Sequence, residues 1–122
     1  NEYNVDSFFY DMADRISKAD LVITRAGAST ISEICASGAV AIFIPYKYAQ
    51  DDHQYQNALA LYRENACEIV MQDADLYKNL ADKMEYILNN PKIRLEFSKN
   101  AASFYDANNI EKIVKLCVEF LC

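Results

Sequence analysis

Apolar residues in this chain fall into short runs separated by stretches with a helical repeat. Asp20-Leu21-Val22-Ile23-Thr24 and Val40-Ala41-Ile42-Phe43-Ile44 are short, mostly apolar and rich in β-branched residues. That is the pattern of strands covered on both faces. Glu68-Ile69-Val70-Met71 reads as a further strand, and residues 5–9 as a first, weaker one. Between these runs the apolar spacing changes to every third or fourth position. Residues 11–19 predict a helix with Met12, Ile16 and Ala19 on one side. Residues 29–37 predict another, with Ile31, Ile34 and Cys35 inward and Gly38 at the terminating position that favours glycine. A third is expected over 53–65, with Leu59 and Tyr62 inward. Leu76, Leu80, Met84 and Ile87 mark a fourth. Pro91 opens a fifth, since proline is tolerated in a first turn, with Ile93, Phe97, Ala101 and Phe104 inward. A last helix would carry Ile110, Ile113, Val114, Cys117 and Leu121.

Strands alternating with helices of this length imply an α/β fold with a parallel sheet and helices on both faces. The 122 residues fit one domain over 1–122, and no repeat or low-complexity segment divides them. With 52% hydrophobic and 25% charged residues, the chain has the composition of an ordinary globular domain. The net charge of −6 argues against a nucleic-acid partner held by phosphate neutralisation. No apolar run reaches the about 18 residues that would suggest a membrane span. Cysteines stand at 35, 67, 117 and 122 with no C-x-x-C pair, and there is 1 histidine. This is no zinc pattern, and neither a metal nor a cofactor is expected. Cys35 and Cys117 read as small buried hydrophobes. The chain opens at Asn1 without a methionine, so a fragment or trimmed form is expected.

In open parallel sheets, ligands bind beyond the carboxyl ends of the strands. Three such places can be named. The turn Arg25-Ala26-Gly27-Ala28-Ser29-Thr30 is built of small residues that let backbone N–H groups approach an anion. The positive end of the following helix points to the same spot, which suits a diphosphate. Ser29 and Thr30 add hydroxyls, and Arg25 could add charge. The alternative is a plain helix start. Thr30-Ile31-Ser32-Glu33 has the spacing of a capping box, with Glu33 bonding back to the Thr30 N–H. Glu33 could equally accept both hydroxyls of a ribose. The second place is Asp51-Asp52-His53-Gln54-Tyr55-Gln56-Asn57, whose amides and imidazole suit sugar hydroxyls. Its alternative is a polar helix start capped by Asp51 or Asp52. The third is Phe8-Phe9-Tyr10, aromatics that could cover a base or belong to the core.

Taken together and in this order, these pieces resemble the C-terminal half of the MurG family of glycosyltransferases. The resemblance is carried by Phe8-Phe9-Tyr10-Asp11-Met12, by Ala19 through Glu33, by Phe43-Ile44-Pro45-Tyr46, and by Asp51-Asp52-His53-Gln54 with Asn57-Ala58. It implies a Rossmann-like fold, as a partial C-terminal domain of the two-domain GT-B arrangement. It further implies an inverting hexosyltransferase in the full-length protein, which takes N-acetylglucosamine from UDP-GlcNAc to lipid I and makes lipid II for peptidoglycan. By position, Phe9 would meet the uracil through its backbone. Ala28, Ser29, Thr30, Ile31 and Ser32 would form the diphosphate-binding turn. Glu33 would hold the ribose, and Gln54, flanked by His53 and Asn57, the donor sugar. The lipid I acceptor would be held by an N-terminal domain absent from this chain. Peripheral attachment to the cytoplasmic face of the bacterial inner membrane is implied for the full-length protein, with roles in cell wall biogenesis, cell shape and division. No catalytic base is assigned, because the residues that would supply one fall mainly in the absent half; the chain alone is expected to be inactive. Two other readings are a catalytic subunit of a split UDP-GlcNAc transferase with a separate membrane-bound partner, and a nucleotide-sugar-binding domain without activity.

Overall fold

The computed structural model describes residues 11–46 and 53–105. The weak strand expected at 5–9, the loop at 47–52 and the last helix lie outside them. The elements run α1 (Met12–Lys18), β1 (Val22–Thr24), α2 (Ala28–Ser37), β2 (Ala41–Phe43), α3 (His53–Arg63), β3 (Glu68–Ile69) and α4 (Leu76–Leu88). A further helix, α5, covers 91–105.

The three strands lie side by side in the order β1-β2-β3, all parallel. Val22 pairs with Ala41 and Thr24 with Phe43, while Ile42 pairs with Glu68. The ladder outlasts the short third strand, since the Val70 N–H donates to the Phe43 carbonyl at 3.0 Å. β2 is the centre and is buried along its length. Because successive side chains point to opposite faces of a strand, it feeds two cores. Ala41 and Phe43 face one that also holds Ile16 of α1, Ile31, Ile34 and Cys35 of α2, and Ala58 and Leu61 of α3. Val40 and Ile42 face the other, closed by Leu76, Leu80, Met84 and Ile87 of α4.

The last described helix joins the two cores. Its Ile93 and Phe97 pack in the second, while Ala101, Phe104 and Tyr105 pack in the first. Midway it passes the amino ends of the strands. There Ser98 lies against Gly38, just before β2, and the Asn100 amide donates to the Asn65 carbonyl, just before β3, at 3.0 Å. α5 therefore closes the end of the sheet opposite the carboxyl-end loops.

Three local expectations need correction. On α3 the buried residues are Ala58 and Leu61, whereas Tyr62 is 47% exposed and Leu59 half-buried. The inner face is thus rotated by one residue, because the small Ala58 lets the helix approach the core more closely than a larger side chain would. On α1 only Ile16 is buried, and Met12 and Ala19 are exposed. Ile23 is 40% exposed, so β1 is not covered on both faces along its length. The second core is built on Val40, Ile42 and Val70 with residues of α4 and α5, and the exposed Ile23 is not part of it.

Candidate functional site

β1 ends at Thr24 and the chain turns through Arg25, Ala26 and Gly27 into α2. Ala26 is fully buried and anchors the turn. The first helical hydrogen bond runs from the Ile31 N–H to the Gly27 carbonyl at 3.0 Å, and no side chain caps the helix. The N–H groups of Ala28, Ser29 and Thr30 therefore have no helical acceptor, as is general in a first turn. Ala28, Ser29 and Ser32 are exposed and Thr30 is half-buried.

This boundary excludes the capping-box reading of Glu33. Gly27 is the cap residue, so Thr30 is already the third residue of the helix. A capping box would need Thr30 outside the helix; it does not form, and the start predicted at residue 29 moves to Ala28. Among the described residues no side chain or N–H is bonded to the half-buried Glu33 carboxylate, which stands one turn into α2. Ile31 is inward, as the helical spacing predicts, although its position in the turn also put it among the expected diphosphate contacts. Its side chain is in the first core and its N–H is engaged by Gly27, so it leaves the candidate site.

Gly27 has φ −67°, a value open to any residue, and a Cβ built there meets nothing within 4 Å. The glycine is therefore not required by the backbone. What it leaves is open space in front of the helix start. Gly38 is the opposite case, with φ +65° and Ser98 Oγ 3.1 Å from a built Cβ.

The carboxyl ends of the other two strands converge on the same turn through Arg25. Its guanidinium donates to the Ile44 carbonyl at 3.2 Å and to the Gln72 side-chain oxygen at 2.8 Å. It also lies over the Tyr46 ring, 5.4 Å from the centroid. The candidate residues of α3 are tied to this frame as well. Gln54 accepts a hydrogen bond from the Tyr46 N–H at 2.8 Å, and the Asn57 amide donates to the Ala26 carbonyl at 3.3 Å. Asn57 thus supports the turn from behind. Gln54 still has its amide N–H groups to offer. His53 is exposed at the start of α3. Phe9 lies outside the described residues.

Sequence reasoning brought Arg25, Gln54 and Asn57 to one place but missed what they hold. Gln72 was not singled out, and Tyr46 only as part of the Phe43-Ile44-Pro45-Tyr46 piece. Gln72 follows a short strand and belongs to no motif, and its partner is 47 residues away. Among the described residues no group of histidine, cysteine and acidic side chains could hold a metal, and no helix is long and apolar enough to cross a membrane.

Residues 1–115 match the family described as the glycosyltransferase family 28 C-terminal domain. A relative from Thermodesulfovibrio yellowstonii is 41% identical over 114 residues, which is 93% of this chain and 31% of that protein. One from Rickettsia felis is 46% identical over 98 residues, 80% of this chain and 27% of that protein. Both are named UDP-N-acetylglucosamine--N-acetylmuramyl-(pentapeptide) pyrophosphoryl-undecaprenol N-acetylglucosamine transferase. The crystal structure of Acinetobacter baumannii MurG superposes with a TM-score of 0.77 at 34% identity, over 93% of this chain and 34% of that one. The chain spans about a third of the length of these proteins. The α/β architecture, the family match and this superposition agree: the chain belongs to the MurG family of glycosyltransferases, as part of its C-terminal domain.

Proposed function

We propose that this chain is the donor-binding part of a glycosyltransferase that moves N-acetylglucosamine from UDP-GlcNAc to lipid I, giving lipid II in peptidoglycan synthesis. The observation that carries the reading is the start of α2, which no side chain caps, with the unbonded Glu33 carboxylate one turn further on. Free N–H groups at the positive end of a helix dipole stabilise a diphosphate. The hydroxyls of Ser29, Thr30 and Ser32 add donors around it. Glu33 accepts the two ribose hydroxyls, and the Gln54 amide, with His53 beside it, faces the sugar. Arg25 adds positive charge behind the turn. The residues named at this site bind and orient the donor, and none of them is assigned as a base for the acceptor. Lipid I is held by the part of the family's fold that this chain does not span, at the cytoplasmic face of the inner membrane, where the whole protein is peripheral. On this reading it serves cell wall growth, and through that cell shape and division.

Titration of the full chain with UDP-GlcNAc, followed by amide NMR shifts, tests this. Shifts are expected at residues 27–33 and at Gln54. Glu33→Ala should weaken binding about tenfold or more, as expected for hydrogen bonds to a charged acceptor worth roughly 1.5–3 kcal/mol. Wild-type amides that stay in place at saturating donor would sink the reading.

A further inference from the structure

One side chain ties together the carboxyl ends of all three described strands. Arg25 follows β1 directly and its guanidinium reaches Ile44 at the end of β2 and Gln72 beyond β3. The shorter contact is to the Gln72 oxygen, at 2.8 Å. The face of the guanidinium lies over Tyr46, whose N–H is in turn held by Gln54. Arg25 thereby links the turn that opens α2 to Ile44 and Tyr46 and, through Tyr46, to Gln54 in the first turn of α3.

The chemistry of its partners matters as much as their position. Both oxygens that receive the guanidinium, a backbone carbonyl and a side-chain amide, are neutral. The cation is fixed by hydrogen bonds and ring contact without an ion pair among these groups. A carboxylate in place of Gln72 would hold the same geometry but cancel the charge. A fixed, uncancelled cation beside an uncapped helix start raises the potential felt by an anion there, whereas an ion pair would not.

We propose that Gln72 is a positioning residue of the donor site, which holds Arg25 across the strand ends while leaving its charge to act on the diphosphate. This rests on the donor-binding reading above. It predicts that Gln72 acts in two separable ways, through geometry and through neutrality.

Two variants of the full chain, Gln72→Ala and Gln72→Glu, separate them, with UDP and uridine as probes. In the ligand-free protein, Gln72→Ala should displace the amide shifts of Tyr46, Gln54 and residues 24–27, and Gln72→Glu should leave those of Tyr46 and Gln54 near their wild-type values. Loss of a charge-assisted hydrogen bond in Gln72→Ala should weaken UDP about tenfold. Gln72→Glu should weaken UDP about fivefold, an effect of surface-charge size, and leave uridine unchanged. A structural role alone would not produce this division between UDP and uridine. UDP bound as tightly by Gln72→Glu as by wild type overturns the proposal, as does an equal loss for UDP and uridine. A wild-type chain that binds no UDP overturns the donor-site reading and this proposal with it.

Discussion

Gly38 and Gly27 are the chain's 2 glycines, and they differ in what they do. At Gly38 a left-handed backbone is combined with a close neighbour, Ser98. Gly38→Ala should cost about 1–3 kcal/mol, the usual range for a side chain forced into that conformation. A shift in the urea midpoint would measure it, and an unchanged midpoint would contradict the assignment. Cys67 offers a second residue-scale test. Burial pushes its thiol from 9.0 up to about 12, helped by the nearby Glu68 charge. The folded state keeps the thiol protonated after the unfolded state has begun to release its proton. Its contribution is therefore complete below pH 9, falls as pH rises and is lost by about pH 12. In Cys67→Ala, the loss of stability between pH 8 and 10.5 should be smaller than in wild type. Alkylation of native Cys67 at neutral pH should also be slow, because the thiolate is the nucleophile.

At the scale of elements, the frame of α2 is decisive. A shift of its start by three residues would make Thr30 a cap and Glu33 its partner. The structure sets the cap at Gly27, so the capping box does not form. Gly27→Ala should separate stability from binding. Its φ suits alanine, which favours the variant by about 0.4–1 kcal/mol, and alanine is a poorer cap by a similar amount. Thermal unfolding should thus stay close to wild type. The added methyl stands in the open space before the helix start, so UDP affinity should fall. Unchanged affinity would show that this space is not where the diphosphate lies. The error on α3 belongs to this scale too. Leu59 and Tyr62 fit a helical face as well as Ala58 and Leu61 do, and periodicity alone does not select between faces one residue apart. Contact with Cys67, whose thiol reaches the Ala58 carbonyl at 3.7 Å, marks the face that is buried.

For the molecule as a whole, two cores share one central strand and one closing helix. Leu61 and Ile87 are both fully buried, on opposite faces of the sheet. Leu61→Ala and Ile87→Ala should each cost about 2–5 kcal/mol. Each should lower one common urea transition, followed by circular dichroism and by a tyrosine signal. Two separate transitions would show that β2 and α5 do not couple the faces.

Much of this architecture could be read along the chain because strand and helix periods differ so clearly. The buried run around β2, the inward set Ile31, Ile34 and Cys35, the stripe from Leu76 to Ile87 and the terminating Gly38 follow from local sequence and the physics of burial. So did the small-residue turn and the loop motif around His53 and Gln54, since short-range spacing carries them. Only tertiary structure could decide the rest. That Asn57 and Gln54 brace the frame and that Gln72 holds Arg25 depend on contacts between distant segments. Hydrogen bonds across the ends of a parallel sheet join residues whose sequence separation is set by intervening helices, and no local pattern records them.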